Sequence, residues 1–505
     1  MKKIFPQTFY NPLSLVGAVV FLFNIGLMIF LAVVEMLAKH SRPYADIIIF
    51  MVLPLIVFFG LVLIVVGIVR ERRRLKAGGV IESRFPILDF NDPKHRTLVL
   101  VFSFGFVIMS LLYAFAGFKT YEYTESDTFC GVLCHSSGQG IHRAENLSYS
   151  FSPHAKVGCS TCHVGSGVEY FVLYKVRGMR QLFNLLTGRV PKPIPTPVAD
   201  LRPAQDVCES CHGPKYQFYE RLEARQYFLS DTSNTPWKLD LLLKMGTAGL
   251  KTDKPPKMHW HSSTTEEIIY DASDPKRVVI PWVHVKRLDG RERTYRSRGT
   301  AMEVKEPGDA AKRRMDCVDC HNRAGHPFYP PSDILNALMS TGLVDPALPD
   351  IKKTAIKALE GEYRTFDEGK EAIGKTIMEF YRTTHPSVAE AQKQTIDRAI
   401  TALQRTYENN YDPLMKVSWK NFPSNRGHRH ALGCFRCHDG NHVSEDGAVL
   451  SRDCGLCHVL LVHQVSEEKG VKSAVMRVLT YPHPVDIDDS YLTMNCSDCH
   501  GAAAQ

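Results

Sequence analysis

The stretch VGCSTCHVGSG, residues 157–167, sets two cysteines three positions apart and a histidine directly after the second. On one turn of helix, positions i, i+3 and i+4 share a face. Such a turn fixes one edge of a macrocycle through two thiols and presents an imidazole to its centre. Cys-x-x-Cys-His is the attachment signature of c-type haem, in which the adjacent histidine is the proximal iron ligand. The spacing recurs at Cys208/Cys211/His212, Cys317/Cys320/His321, Cys434/Cys437/His438, Cys454/Cys457/His458 and Cys496/Cys499/His500, besides Cys159/Cys162/His163. A further copy lies in TFCGVLCHSSGQGIH, residues 128–142. It carries one extra residue between Cys130 and Cys134 ahead of His135, and i and i+4 still share a helical face.

All 14 cysteines fall in these seven pairs. With 21 histidines in 505 residues, a histidine after every pair has odds of roughly one in several billion by chance. Zinc ribbons and disulfides also use paired cysteines but leave the histidines unexplained, and a thioredoxin-like motif needs a βαβ setting absent here. The sequence therefore implies seven covalently bound c-type haems. Electron-transfer haems take a second axial ligand, commonly histidine or methionine. The candidates are His142, His154, His259, His261, His326, His428, His442 and His483. His326, His442 and His463 follow a motif histidine by five, four and five residues, and His154 precedes Cys159 by five. Those distances let one peptide ligate its own haem and a neighbour's. MHWH, residues 258–261, and GHRH, residues 427–430, each offer two histidines, of which one is expected to ligate.

Apolar residues concentrate in runs at 13–34, 47–69 and 98–118, each longer than the ~18 residues a membrane span requires. A cleaved signal peptide is the alternative for the first run, but it is long and lacks a small-residue cleavage pattern. The basic run RERRRLK, residues 70–76, marks a cytoplasmic loop and puts everything after residue 118 outside the cytoplasm. The fold expected is three transmembrane α-helices plus a mostly α and irregular multihaem cytochrome c domain with a small β insert. Its sections are a membrane domain at 1–118, motifs one to three at 119–212, a haem-free insert with a β-hairpin at 213–316, and motifs four to seven with a helical insert at 317–505. The formal charge of +8 gathers largely in the amino-terminal segment and the basic run, and haem propionates turn the haem section acidic. Nucleic acid is not an expected partner.

The segment SPHAKVGCSTCHVGSG, residues 152–167, after an apolar helix and a first motif, resembles the NapC/NirT family of membrane-anchored quinol dehydrogenases. LRPAQDVCESCHGP, MDCVDCHNRAGHPF and GCFRCHDGNH resemble a larger subfamily of seven-haem inner-membrane cytochromes. The likeness covers nearly the whole chain. It implies a bacterial inner-membrane protein that oxidises menaquinol and passes electrons along its haems to periplasmic c-type cytochromes. In the family a lysine soon after the second motif assists quinol binding, and Lys175 stands at that spacing. KVRGMRQL, residues 175–182, lacks the acidic residue the family places next. The family's methionine past the first motif corresponds to His142, which as an axial ligand would lower the first haem's potential and as a bystander would leave that haem five-coordinate. A non-enzymatic conduit fed by another quinol-oxidising subunit is the other reading. A terminal oxyanion reductase would carry a modified motif such as Cys-x-x-Cys-Lys, which the sequence lacks.

Overall fold

The computed structural model describes residues 7–9, 11–37, 53–78, 91–133, 143–164, 168–197, 202–213, 220–246, 257–262, 266–287, 289–298, 304–465 and 483–501. The chain divides into two compact units, Met1–Ser126 with Val164–Leu182, and Asp127–His163 with Phe183–Gln505.

The first unit is helical: α1 (Pro12–Leu37), α2 (Leu53–Lys76), α3 (Pro93–Thr124) and most of α4 (Val168–Leu186). α1 and α2 approach so closely that a Cβ on Gly17 would lie 2.7 Å from the Gly60 carbonyl oxygen. Ser14 Oγ donates to the Ile64 carbonyl at 3.1 Å across the same contact. The missing side chains of Gly17 and Gly60 let the two backbones approach this closely, and the serine adds one cross-helix hydrogen bond. α3 starts at Asp92, whose side chain accepts from the Lys94 amide at 2.8 Å, with Pro93 at the first helical position.

The expectation of three membrane-spanning helices is corrected here. Among the described residues one helix, α2, is long and apolar enough to cross a membrane. It begins at Leu53 and carries the basic run as its last turns, ending at Lys76. The qualifying apolar stretch of α1 is the shorter Pro12–Met28. In α3 the apolar run sits inside a 32-residue helix with Lys94 and Arg96 in its opening turn and Lys119 and Glu122 near its end.

The second unit holds two antiparallel sheets and a helical module. β1 (Arg221–Phe228), β2 (Pro236–Leu243) and β8 (His458–Val465) form a three-stranded sheet in that order. A five-stranded sheet has the order β6 (Lys312–Arg314), β3 (Glu266–Asp271), β4 (Trp282–Arg287), β5 (Glu292–Ser297), β7 (His442–Ser444). β4 and β5 turn through Asp289 and Gly290, where φ of +79° suits glycine. The small β insert is thus also corrected. β7 and β8 belong to the peptides of the fifth and sixth motifs, and β2 pairs Leu243 with the motif histidine His458.

Between the fourth and fifth motifs lie α5 (Pro331–Ser340), α6 (Ile351–Leu359), α7 (Phe366–Thr384) and α8 (Lys393–Asn410). Ile373, Ile377 and Tyr381 on α7 face Ile396, Ala399, Leu403 and Tyr407 on α8, all buried. Their spacing of three and four residues puts each set on one helical face. Each such aliphatic or aromatic burial contributes about 1.5–3 kcal/mol. Asn410 closes the module's neck: its Oδ1 accepts from the Tyr329 amide at 2.9 Å and its Nδ2 donates to the Tyr329 carbonyl at 2.8 Å.

Candidate haem sites

Four of the described motifs begin where a side chain caps the turn. Asp316, immediately before Cys317, accepts from the Val318 amide at 3.0 Å, while Asp319 accepts from the Asp316 amide at 2.8 Å, a reciprocal capping box. Asn495 and Asp498 repeat the device around Cys496. Asp453 accepts from the Gly455 amide at 2.7 Å beside Cys454, and Asp127 accepts from the Cys159 amide at 2.7 Å. The turn then closes on the histidine: the His212, His321 and His438 amides donate to the carbonyls of Cys208, Cys317 and Cys434 at 2.7, 2.8 and 2.9 Å. The extra residue of the first motif is absorbed as a π-helical turn, Phe129–Leu133, the wider winding that inserts one residue per turn. Cys134, His135 and His142 lie outside the described residues, as does the side chain of His463.

None of the described cysteines is in a disulfide. Burial pushes the Cys159 thiol up to about 12, helped by Asp127 and by Cys130 of the first motif. Burial raises Cys162, and Cys211 of the third motif raises it further. Cys208 is raised by its hydrogen bond with Cys317, and Cys317 is lowered by the same bond. Cys320 is pushed up to about 12 by burial and then by Cys434, and Cys457 to about 11 by burial and then by Cys434 and its own partner Cys454. Cys496 is raised by burial and by Cys454.

The described motif histidines each face a histidine from elsewhere in the chain. The ring centres of His163 and His326 are 6.1 Å apart, and those of His212 and His154 6.0 Å. His321 faces His259 at 6.4 Å and His438 faces His261 at 5.8 Å. His458 faces His428 at 6.3 Å, and His500 faces His483 at 6.1 Å. An ion between two imidazoles needs about 4 Å between their nitrogens, at ~2.0 Å per metal–nitrogen bond. The half-widths of the rings take up the rest.

Several rings are held with one nitrogen committed. With the proton on Nδ1, His326 donates to the Glu145 carbonyl at 2.8 Å, His154 to Ala324 at 3.0 Å, His261 to Met258 at 2.9 Å and His483 to Val485 at 2.7 Å. For His326, His154 and His261 this contact leaves Nε2 to ligate, the usual outer contact of a metal-binding histidine. Burial lowers His326, His428, His438 and His500 to about 4, so these imidazoles are neutral at ordinary pH and able to ligate. A cavity of about 2760 Å³ is lined by cysteines and histidines of the third to seventh motifs. An ordinary ligand pocket holds about 300–1,000 Å³. Among the described residues no group of three or more His, Cys, Asp or Glu side chains stands at metal-binding geometry. Two protein ligands per site suit a porphyrin, which supplies the other four, and the residues fit haem.

His442 is not among the facing pairs. It is buried, its Nδ1 at 2.9 Å from Asp439 Oδ1 and its Nε2 at 2.7 Å from the Ile280 carbonyl, which occupies both nitrogens. His430 donates to the His500 carbonyl at 2.8 Å. Lys175, on α4, lies 2.5 Å from Glu125 Oε1 and donates to Thr124 Oγ1 at 3.1 Å. Glu125 is the residue that sequence reasoning missed. The carboxylate beside Lys175 is thus supplied by the C-cap of α3, five residues before Cys130.

The N-terminal region of the NapC/NirT cytochrome c family matches residues 92–194. The cytochrome c-type protein ImcH of Geobacter sulfurreducens is 37% identical over 504 residues, 98% of this chain and 96% of that protein. The chain belongs to the NapC/NirT cytochrome c family. This NapC/NirT cytochrome is a membrane-anchored multihaem protein of electron transfer, and its c-type haem is covalently bound. No solved structure matches the chain.

Proposed function

We propose that this cytochrome oxidises menaquinol at the inner membrane and delivers the electrons, through seven covalent haems, to periplasmic c-type cytochromes. The haem section then lies on the periplasmic side. The seven motif histidines are the proximal ligands, and His326, His154, His259, His261, His428 and His483 are the distal ligands of haems two to seven in that order. Each bound haem supplies one-electron redox chemistry. The rest of quinol oxidation is proton chemistry, because each quinol that becomes quinone sheds two protons with its two electrons.

The observation that carries this reading is the Lys175–Glu125 pair. A carboxylate 2.5 Å from an ammonium, with Thr124 Oγ1 on the same nitrogen, forms a compact acid-base group on the anchor unit. The carboxylate receives a quinol proton while the ammonium steadies the oxygen that loses it. Glu125 comes shortly before the first motif in the chain, which suits a reductant dissolved in lipid.

Reduction of the purified protein by a menaquinol analogue in detergent tests the proposal. Rapid reduction is expected in the wild type. Glu125→Gln and Lys175→Ala are expected to slow it by about 10²-fold or more, the range of one general acid-base group, with the haem spectrum unchanged. Reduction by a protein donor but not by quinol would sink the dehydrogenase reading and leave an electron conduit.

A further inference from the structure

The peptides that supply distal histidines also tie one motif to the next. His154 lies on the peptide entering the second motif and faces His212 of the third. One 3₁₀ turn, Met258–Ser262, holds His259 against the fourth motif and His261 against the fifth. His428, just ahead of the fifth motif, faces His458 of the sixth. The helical turns that carry Cys208 of the third motif and Cys317 of the fourth pack against each other. Arg452, two residues before Cys454, donates to the Met494 carbonyl, two residues before Cys496, and joins the sixth to the seventh. The Asp127–Cys159 contact joins the first to the second.

We propose that the seven haems stand in single file in the order of their motifs, the first at one end and the seventh at the other. The inference rests on the haem reading above and adds the path. A peptide that ligates two irons holds their haems at a fixed separation, and consecutive motifs share such peptides or touch. His326, five residues past His321 yet facing His163, also sets the fourth haem near the second, so the file folds back there around the third. The His430 bond to the His500 carbonyl marks a second bend, where the peptide before the fifth motif meets the end of the seventh.

Electron microscopy of the full-length, haem-loaded protein in detergent, with the irons located in the density, tests the order. Seven irons are expected, joined by their shortest separations into one unbranched row from the first motif to the seventh. Seven irons in which a shortest link skips a motif, or the row branches, would overturn the single file and leave the haem reading standing. Fewer than seven irons would overturn the haem reading itself. The positions are measured on the oxidised resting protein, so the result does not depend on which donor reduces it.

Discussion

Replacing His428 with alanine removes an imidazole whose ring centre is 6.3 Å from His458 and whose Nδ1 is buried without a protein partner. Because His428 stands opposite the motif histidine His458, the variant would open one axial position on one haem. Carbon monoxide bound by the reduced protein is therefore expected to rise by one molecule per chain over the wild type. His442→Ala is the paired control. Both of its nitrogens are engaged, by Asp439 and the Ile280 carbonyl, so its loss opens no iron. The control instead forfeits two buried hydrogen bonds at about 0.5–1.5 kcal/mol each, which lowers the unfolding temperature by a few degrees. His428→Met keeps a sixth ligand and is expected to raise the potential of one haem without carbon monoxide binding. The pairing is refuted if His428→Ala and His428→Met both leave carbon monoxide binding and every midpoint potential at wild-type values, or if His442→Ala gains a binding site.

Ring angles give a spectroscopic expectation: the near-perpendicular pair His261–His438 at 81° should yield a strongly anisotropic low-spin ferric signal, and the near-parallel pairs His428–His458 at 19° and His259–His321 at 21° rhombic ones. Electron paramagnetic resonance of the oxidised protein with rhombic signals alone would contradict it. Gly433→Ala should cost one covalent haem per chain by haemochrome assay, because φ at Gly433 is +52° and a Cβ there would run into the Gly427 carbonyl just before Cys434. Lys352 is lowered to about 8 by burial and then by Arg429, against 10.5 when free. Between those values the unfolded chain binds more protons than the folded one, so stability should rise with pH by up to about 3 kcal/mol, at ~1.36 kcal/mol per unit. Denaturant midpoints measured at both ends of that window should show the rise in the wild type and its loss in Lys352→Met.

Attachment chemistry was legible because it is local: two thiols and an imidazole fit within one helical turn. Ligand pairing was less so, since it depends on which distant peptide arrives opposite. MHWH reads as a choice between two histidines at strand spacing. As a 3₁₀ turn it sends them to two different motifs. His442 has ligand-like spacing after His438, but Asp439 and the Ile280 carbonyl claim both of its nitrogens, and β4's neighbourhood cannot be read from residue 442. Glu125 escaped notice for the same reason: its partner Lys175 is far along the chain. The sheets were underestimated because β2 finds β8 across more than 200 residues. Apolar run lengths, in turn, located helices but not their ends, as α2 shows by continuing through the basic run to Lys76.

The neck at Tyr329 and Asn410 has a consequence for how this chain reaches its final form. The helices beyond it pack chiefly against one another, and Ala144 and Phe228 join the same core from earlier in the chain, so the module can fold once those segments are already made. Once it has, the reciprocal bonds of Asn410 pin its two ends together. Loop-closure entropy grows with the length of chain left free. A folded module removes its whole length from that count, so the fourth and fifth motifs search for each other as if they were close neighbours in sequence. The insert acts as a kinetic shortcut that brings two haem peptides together early in assembly.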